Sequence, residues 1–208
     1  RILMLGGNGE KQKIDGILNM TFLNQLSLEK FGIQNLPEAI NDMTSLTSLS
    51  LAENHLKAVT IDLPNIKILN LSFNELESDC IHLTCKKVHS LDLASNHLDN
   101  IPSSVLKLHR LHKLSLQNNR LTRLSPEIIL LKKLITLDIS NNQIQSISPN
   151  ICKLKKLQRF PHTGNPITFP PSHVVGKGTE ILISFLKDRM NRSVPLRRVR
   201  LLLVGKDN

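Results

Sequence analysis

The stretch Leu111-His-Lys-Leu114-Ser-Leu116-Gln-Asn-Asn119-Arg-Leu121 decides how this chain folds. Its Leu114-Ser-Leu116 centre alternates apolar and polar residues, the period of a strand with one buried face. Asn119 follows three residues later, where the chain must turn. A side-chain amide there both donates and accepts, so it can satisfy backbone groups that a buried turn leaves open. Working outward, the pattern returns upstream as Val88-x-x-Leu91-x-Leu93-x-x-Asn96, Ile66-x-x-Leu69-x-Leu71-x-x-Asn74 and Leu46-x-x-Leu49-x-Leu51-x-x-Asn54. Downstream it reads Leu134-x-x-Leu137-x-Ile139-x-x-Asn142 and Leu157-x-x-Phe160-x-His162-x-x-Asn165. Leu23-x-x-Leu26-x-Leu28 is a further copy with Phe31 in the Asn slot, and residues 1–8 give a half copy ending on Asn8. The slots are spaced 23, 23, 20, 22, 23, 23 and 23 residues apart.

Repeats of that length and pattern are leucine-rich repeats, in which short strands stack side by side and each repeat buries its apolar face only against its neighbours. The expected fold class is α/β: a leucine-rich-repeat solenoid with a curved parallel sheet inside and short helices and turns on the convex side. About eight repeats occupy 1–169, the first incomplete, and a C-terminal capping helix closes them over 170–191. On the convex side Leu36-Pro37-x-x-Ile40-x-x-Met43 recurs as Ile101-Pro102-x-x-Val105-x-x-Leu108, with variants after Pro126 and Pro149. Apolar residues three apart after a proline describe one short helical turn with a buried face. Segments 58–66 and 79–88 lack the pattern and are expected to be tighter and mostly non-helical. Phe31 must fill its slot apolarly. In the cap, Thr179 reads as the N-cap of a helix whose buried face is Ile181, Leu182, Phe185, Leu186 and Met190.

Composition suits such a column. There is no Trp or Tyr and only six Phe, so the core must be aliphatic. The net charge of +10 is uneven: residues 1–100 hold 8 Lys+Arg against 12 Asp+Glu, and residues 101–208 hold 19 against 5. A basic half can serve nucleic acid, an anionic membrane or an acidic protein, or can simply be a solvated face. The residues expected to form the basic surface are Lys153, Lys155, Lys156, Arg159, Arg192, Arg197, Arg198 and Arg200. Without aromatic stacking residues, nucleic acid is not an expected partner. Cys80, Cys85 and Cys152 are too few and too scattered for a disulfide framework, which points to a reducing compartment and a cytoplasmic location. Cys80-x-His82-x-x-Cys85-x-x-x-His89 lacks the paired spacing of a zinc site, so no metal site is assigned. His109 and His112 read as a solvated convex pair. No nucleophile–base arrangement has recognisable context, and no catalytic residue is assigned.

The concave side is the expected protein-binding surface, with Lys30, Glu53, Phe73, Ser95, Asn118 and Asn141 as candidates. The strip around them, including Ala52, Ser72, Ala94 and Ser140, is small and polar, and Phe73 is its only large apolar member. Binding anchors favour Trp, Tyr and Arg. A weak contact aided by high local concentration within one polypeptide therefore fits better than tight capture of a foreign partner.

After the capping helix a short basic linker leads into Val199-Arg-Leu-Leu-Leu-Val-Gly205, an apolar run ending in glycine as a buried strand does before a phosphate-binding loop. The Leu-Pro-x-x-Ile-x-x-Met turns, a cap over 178–190, a basic linker and this strand together resemble the Roco family. The resemblance implies that 192–208 hold a linker and the first strand of a truncated Roc-like GTPase domain, followed by a COR dimerisation domain and in some members a Ser/Thr kinase. Gly205 maps onto the first glycine of the nucleotide loop. The Lys and Ser/Thr that hold phosphate and magnesium would fall after Asn208, so GTP and Mg are expected cofactors of the parent and none is expected here. The function implied is a non-catalytic regulatory domain, autoinhibitory and intramolecular, whose partners are neighbouring GTPase, COR or kinase domains. Other protein partners, and membrane association of an indirect kind, remain open to such a module. The competing expectations are a stand-alone intracellular adaptor and a basic surface for anionic membrane or nucleic acid.

Overall fold

The computed structural model describes residues 1–6 and 12–192. Among the described residues nine short strands carry the repeats: β1 (Ile2–Gly6), β2 (Gln25–Glu29), β3 (Ser48–Ser50), β4 (Val59–Ile61), β5 (Ile68–Asn70), β6 (Ile81–Leu83), β7 (Ser90–Asp92), β8 (Lys113–Ser115) and β9 (Thr136–Asp138). Seven of them form one parallel sheet in the order β1-β2-β3-β5-β7-β8-β9. Its register aligns the motif leucines rung by rung: Leu26 with Leu49, Leu49 with Leu69, Leu69 with Leu91, Leu91 with Leu114 and Leu114 with Leu137. The last repeat joins through bridges between Thr136 and Arg159 and between Ser146 and Phe169. The leucines of the pattern are buried except for the half-buried Leu3, Leu5 and Leu157, so the core is a column of branched side chains that runs from Leu23 to Leu186. Burying one such side chain contributes about 1.5–3 kcal/mol, and every rung repeats that gain.

The convex side follows the proline signals. Single 3-10 turns lie at Glu38–Asp42, Pro126–Leu130 and Pro149–Lys153, each with its central isoleucine buried. Helix α1 (Gln12–Leu18) precedes the first of these, and α2 (Ser103–Leu106) occupies the same place after Pro102. The two segments without the helical pattern are indeed non-helical apart from a single 3-10 turn at Ser78–Cys80. They go further, because β4 and β6 pair as a second, two-stranded parallel sheet. Their apolar-polar-apolar sequences, Val59-Thr-Ile61 and Ile81-His-Leu83, bury the outer residues and expose the middle one.

The C-terminal cap consists of α3 (Ser172–Val175) and α4 (Thr179–Arg192). Leu182 and Leu186 are fully buried, with Ile183 and Phe185 packed beside them, while Ile181 is 47% exposed rather than part of the buried face. Thr179 is also reassigned. Its hydroxyl accepts from the Phe160 backbone N–H at 3.1 Å, across 19 residues. Among the described residues no further strand receives that N–H, and an unpaired buried donor costs about 1–3 kcal/mol. Thr179 supplies the missing acceptor. His162 seals the same edge, with one ring nitrogen 2.6 Å from the Phe160 carbonyl and the other 3.1 Å from that of Val175.

Candidate functional site: the two edges of the sheet

The strands end at a trailing edge where the Asn slots lie. Asn96 accepts from the Leu76 N–H and donates to the carbonyls of Leu71, Leu93 and Ala94. Asn74, Asn119, Asn142 and Asn165 repeat this set, and Asn54 accepts from both Phe31 and Ile33. Every one of these amides bonds to the preceding repeat as well as to its own turn. They are a spine. Phe31, 7% exposed, fills its slot apolarly as its side chain dictates.

The residue just before each slot was expected on the concave surface. The structure places all six candidates in the turn at its rim instead, each with positive φ: Lys30 (61°), Glu53 (55°), Phe73 (55°), Ser95 (54°), Asn118 (54°) and Asn141 (53°). Gly164 continues the column at 71°, where a Cβ would come within 3.1 Å of the Asn141 Cα. Left-handed backbone disfavours residues with a Cβ, least for Asn and most for bulky side chains. The side chains link along the rim. Lys30 pairs with Glu53 at 3.2 Å, Asn118 donates to Ser95 at 3.3 Å, and Asn141 donates to Asn118 at 2.8 Å. Between these two runs stands Phe73, 55% exposed.

The concave face itself presents the residue that precedes each first strand leucine. In register these are Gln25, Ser48, Ile68, Ser90, Lys113, Thr136 and Arg159. Ile68 is 51% exposed and lies five residues before Phe73, and Ile2 and Met4 on β1 are 61% and 72% exposed on the same face, so the surface has large apolar groups beyond Phe73 that the sequence reading passed over. Counting back by one from the first strand leucine of each repeat would have found Ile68. Ala52, Ser72, Ala94 and Ser140, expected to face outward, are buried in the turns. Their carbonyls accept from the Asn amides of the same turns.

The basic candidates separate. Lys153 ends a convex 3-10 turn, Lys155 and Lys156 lie in the next turn, and Arg159 bridges to Thr136 on the concave side. Arg192 is the final residue of α4, and Arg197, Arg198, Arg200 and Gly205 lie outside the described residues. His112 is not a solvated convex residue. It sits against His89 with ring centroids 5.2 Å apart, and its Nδ1 is buried without a hydrogen-bond partner. Partial desolvation holds the His89 imidazole below its ordinary value, and His112, Arg110, Lys67 and Lys133 push it the same way. Cys85 is a buried thiol that donates to the Ile61 carbonyl at 3.2 Å, and its burial raises its pKa. That makes it a packing residue, not a reactive one. Among the described residues no helix is long and apolar enough to cross a membrane.

A stacked parallel sheet, an internal asparagine spine and a capped aliphatic column define a leucine-rich-repeat domain. A leucine-rich-repeat family model matches residues 109–167. A leucine-rich-repeat protein of Leptospira interrogans has a similar structure, with a TM-score of 0.63 at 25% identity over 84% of this chain and 52% of that one. An internalin, InlF, of Listeria monocytogenes shares the fold at a TM-score of 0.62 and 22% identity, over 73% of this chain and 45% of that one. The chain thus spans about half the length of these structures. A sequence search of curated proteins found no match.

Proposed function

We propose that this chain is a protein-docking and regulatory module whose contact surface centres on Phe73 and Ile68. The observation that carries this reading is Phe73 itself. A bulky residue in left-handed backbone costs on the order of 1 kcal/mol or more, and leaving its ring in water forgoes burial as well. Such a position is held against stability, and an aromatic group set in a polar rim is the form that binding anchors take. The surrounding surface is small and polar, which suits a modest contact strengthened by tethering. The partner is a neighbouring domain of the same polypeptide. The apolar run 199–204 before Gly205, after a cap and basic linker, supports a Roco-like parent in which GTP and Mg serve a Roc domain and a COR or kinase domain follows.

The test is to add the chain in trans to GTPase–COR protein of the parent and to read binding and GTP turnover. Binding is expected to weaken roughly thirty-fold on Phe73→Asn, as for an anchor worth about 2 kcal/mol. The same substitution is expected to stabilise the free chain by about 1 kcal/mol, because Asn tolerates left-handed backbone better. No association, or unchanged association with Phe73→Asn, overturns the reading.

A further inference from the structure

The opposite, leading edge of the sheet carries a feature that the docking surface does not use. From β3 onward, before each strand of the seven-stranded sheet and before the last repeat, the chain makes one tight turn, closed by a hydrogen bond from its fourth residue to its first. The bonds are Leu46 to Met43, Ile66 to Leu63, Val88 to Cys85, Leu111 to Leu108, Leu134 to Leu131 and Leu157 to Leu154. The end residues are apolar and turn inward, so the two central residues must face water. In the first two turns these are Thr44-Ser45 and Pro64-Asn65. In the next four they are Lys86-Lys87, His109-Arg110, Lys132-Lys133 and Lys155-Lys156, all exposed. Register does the rest. His89, His112, Ile135 and Gln158, two residues after each pair, are joined carbonyl to N–H between successive repeats. Adjacent strands in a sheet are about 4.8 Å apart, so the four pairs stand in a row about 15 Å long.

No acidic residue lies in 84–91, 106–116, 129–137 or 151–163. Among the described residues the ion pairs are Lys30–Glu53, His55–Glu75 and Lys57–Glu75, none of them on this edge. Lys87 has one neutral partner, donating to Asn65 at 2.7 Å. Like charges stacked in register destabilise a sheet, and nothing within the described fold offsets them. We propose that the leading edge of the last four repeats is a docking surface for an anionic lipid bilayer, held by these four cationic turn pairs.

The residue chemistry selects that partner. Six of the eight are lysines, hydrated point charges on flexible stems, whereas specific carboxylate or phosphate recognition favours the planar arginine fork. They stand at the outer corners of aligned turns, a straight row suited to a flat surface. Protein partners are gripped through aromatic and arginine anchors and single-stranded nucleic acid through stacking rings; this edge offers one arginine and no such ring. Desolvation is the first cause of the lowered His89 pKa, and Arg110 and Lys133 of the row push it the same way, together with His112 and Lys67.

The test uses the whole chain and vesicles of phosphatidylcholine with and without phosphatidylserine, by co-sedimentation across a salt series. Binding is expected only with phosphatidylserine and is expected to fall steeply with salt. Each cation at such a surface is worth about five-fold in affinity. Lys132→Glu with Lys133→Glu and Lys156→Glu is therefore expected to lose a hundred-fold or more. Lys57→Glu with Arg120→Glu and Arg123→Glu changes the net charge equally and is expected to cost less than ten-fold. Replacing the same three lysines by Gln gives a milder form that reads the loss without introducing new charge. The proposal is overturned by absence of phosphatidylserine-dependent binding at low salt. Equal loss in the two charge-reversed variants, or tighter binding to duplex DNA than to vesicles at the same salt, also overturns it.

Discussion

At the trailing edge each repeat from Asn54 onward places an asparagine whose amide closes four or five hydrogen bonds inside the stack, while at the leading edge the matching turn places a pair of side chains in water. Both edges are tight turns recurring at the same interval, yet one is uniform in sequence and the other drifts from Thr44-Ser45 to Lys155-Lys156. The difference shows where the fold constrains the sequence. A polar atom facing inward has partners fixed by backbone geometry, so its identity repeats. A side chain facing outward at the same period is free to vary, and a run of like charge there is a property of the surface, not of the fold.

Substitutions can break that comparison at its strongest point first. Asn96→Ala is expected to destabilise the chain by about 3 kcal/mol or more, since it orphans the Leu76 N–H and three carbonyls at about 1–3 kcal/mol for each group that finds no water. Asn96→Asp, which keeps the acceptor and loses the three donated bonds, is expected to be nearly as damaging; chemical denaturation measures both. At the cap, Thr179→Val removes the acceptor for the Phe160 N–H and is expected to cost about 1–2 kcal/mol, read as a lower unfolding midpoint. The smallest effect belongs to the leading edge. His89 has a lowered folded-state pKa, so the unfolded chain binds a proton more readily and stability declines as pH falls below about 6.5. Arg110→Gln removes one of the neighbours that push it down, although desolvation is the larger cause. The His89 pKa, followed by NMR titration, is expected to rise towards its ordinary value in that variant, and an unchanged value would show that Arg110 exerts no field there.

Much of the fold was legible because a solenoid writes its period directly into the chain. Leu91, Leu114 and Leu137 are neighbours in space for the same reason that they are 23 residues apart in sequence. The asparagine spine was legible too, because few side chains both donate and accept from within a buried turn. The left-handed rim was not. Asn118, Asn141 and Gly164 suit positive φ, but Lys30, Glu53 and Phe73 do not, and only the repeating backbone forces them into it. Thr179 was misread because a local capping pattern and an acceptor for a residue 19 positions away look alike in sequence. The leading-edge row was visible only as an excess of lysine and arginine in the second half. Its alignment needed the strand register, and grouping Arg159 with Lys155 and Lys156 placed residues from two faces on one.

Phe31 gives the array a seam. From residue 54 onward each described slot ties a repeat to the one before it through an amide, so neighbouring repeats stand or fall together. At residue 31 that tie is replaced by an apolar plug, and among the described residues β1 is joined to β2 by strand pairing, by the Arg1 ammonium donating to Asn24 Oδ1 and by the Arg1 guanidinium over the Phe22 ring. In a linear array whose cooperativity is carried by nearest-neighbour coupling, a weakened coupling marks where a boundary between ordered and open repeats comes to rest. Here the first strand offsets the missing amide with a five-residue register on β2, where later strand pairs share three, so the front of the array is held by backbone pairing and the rest by its asparagines as well.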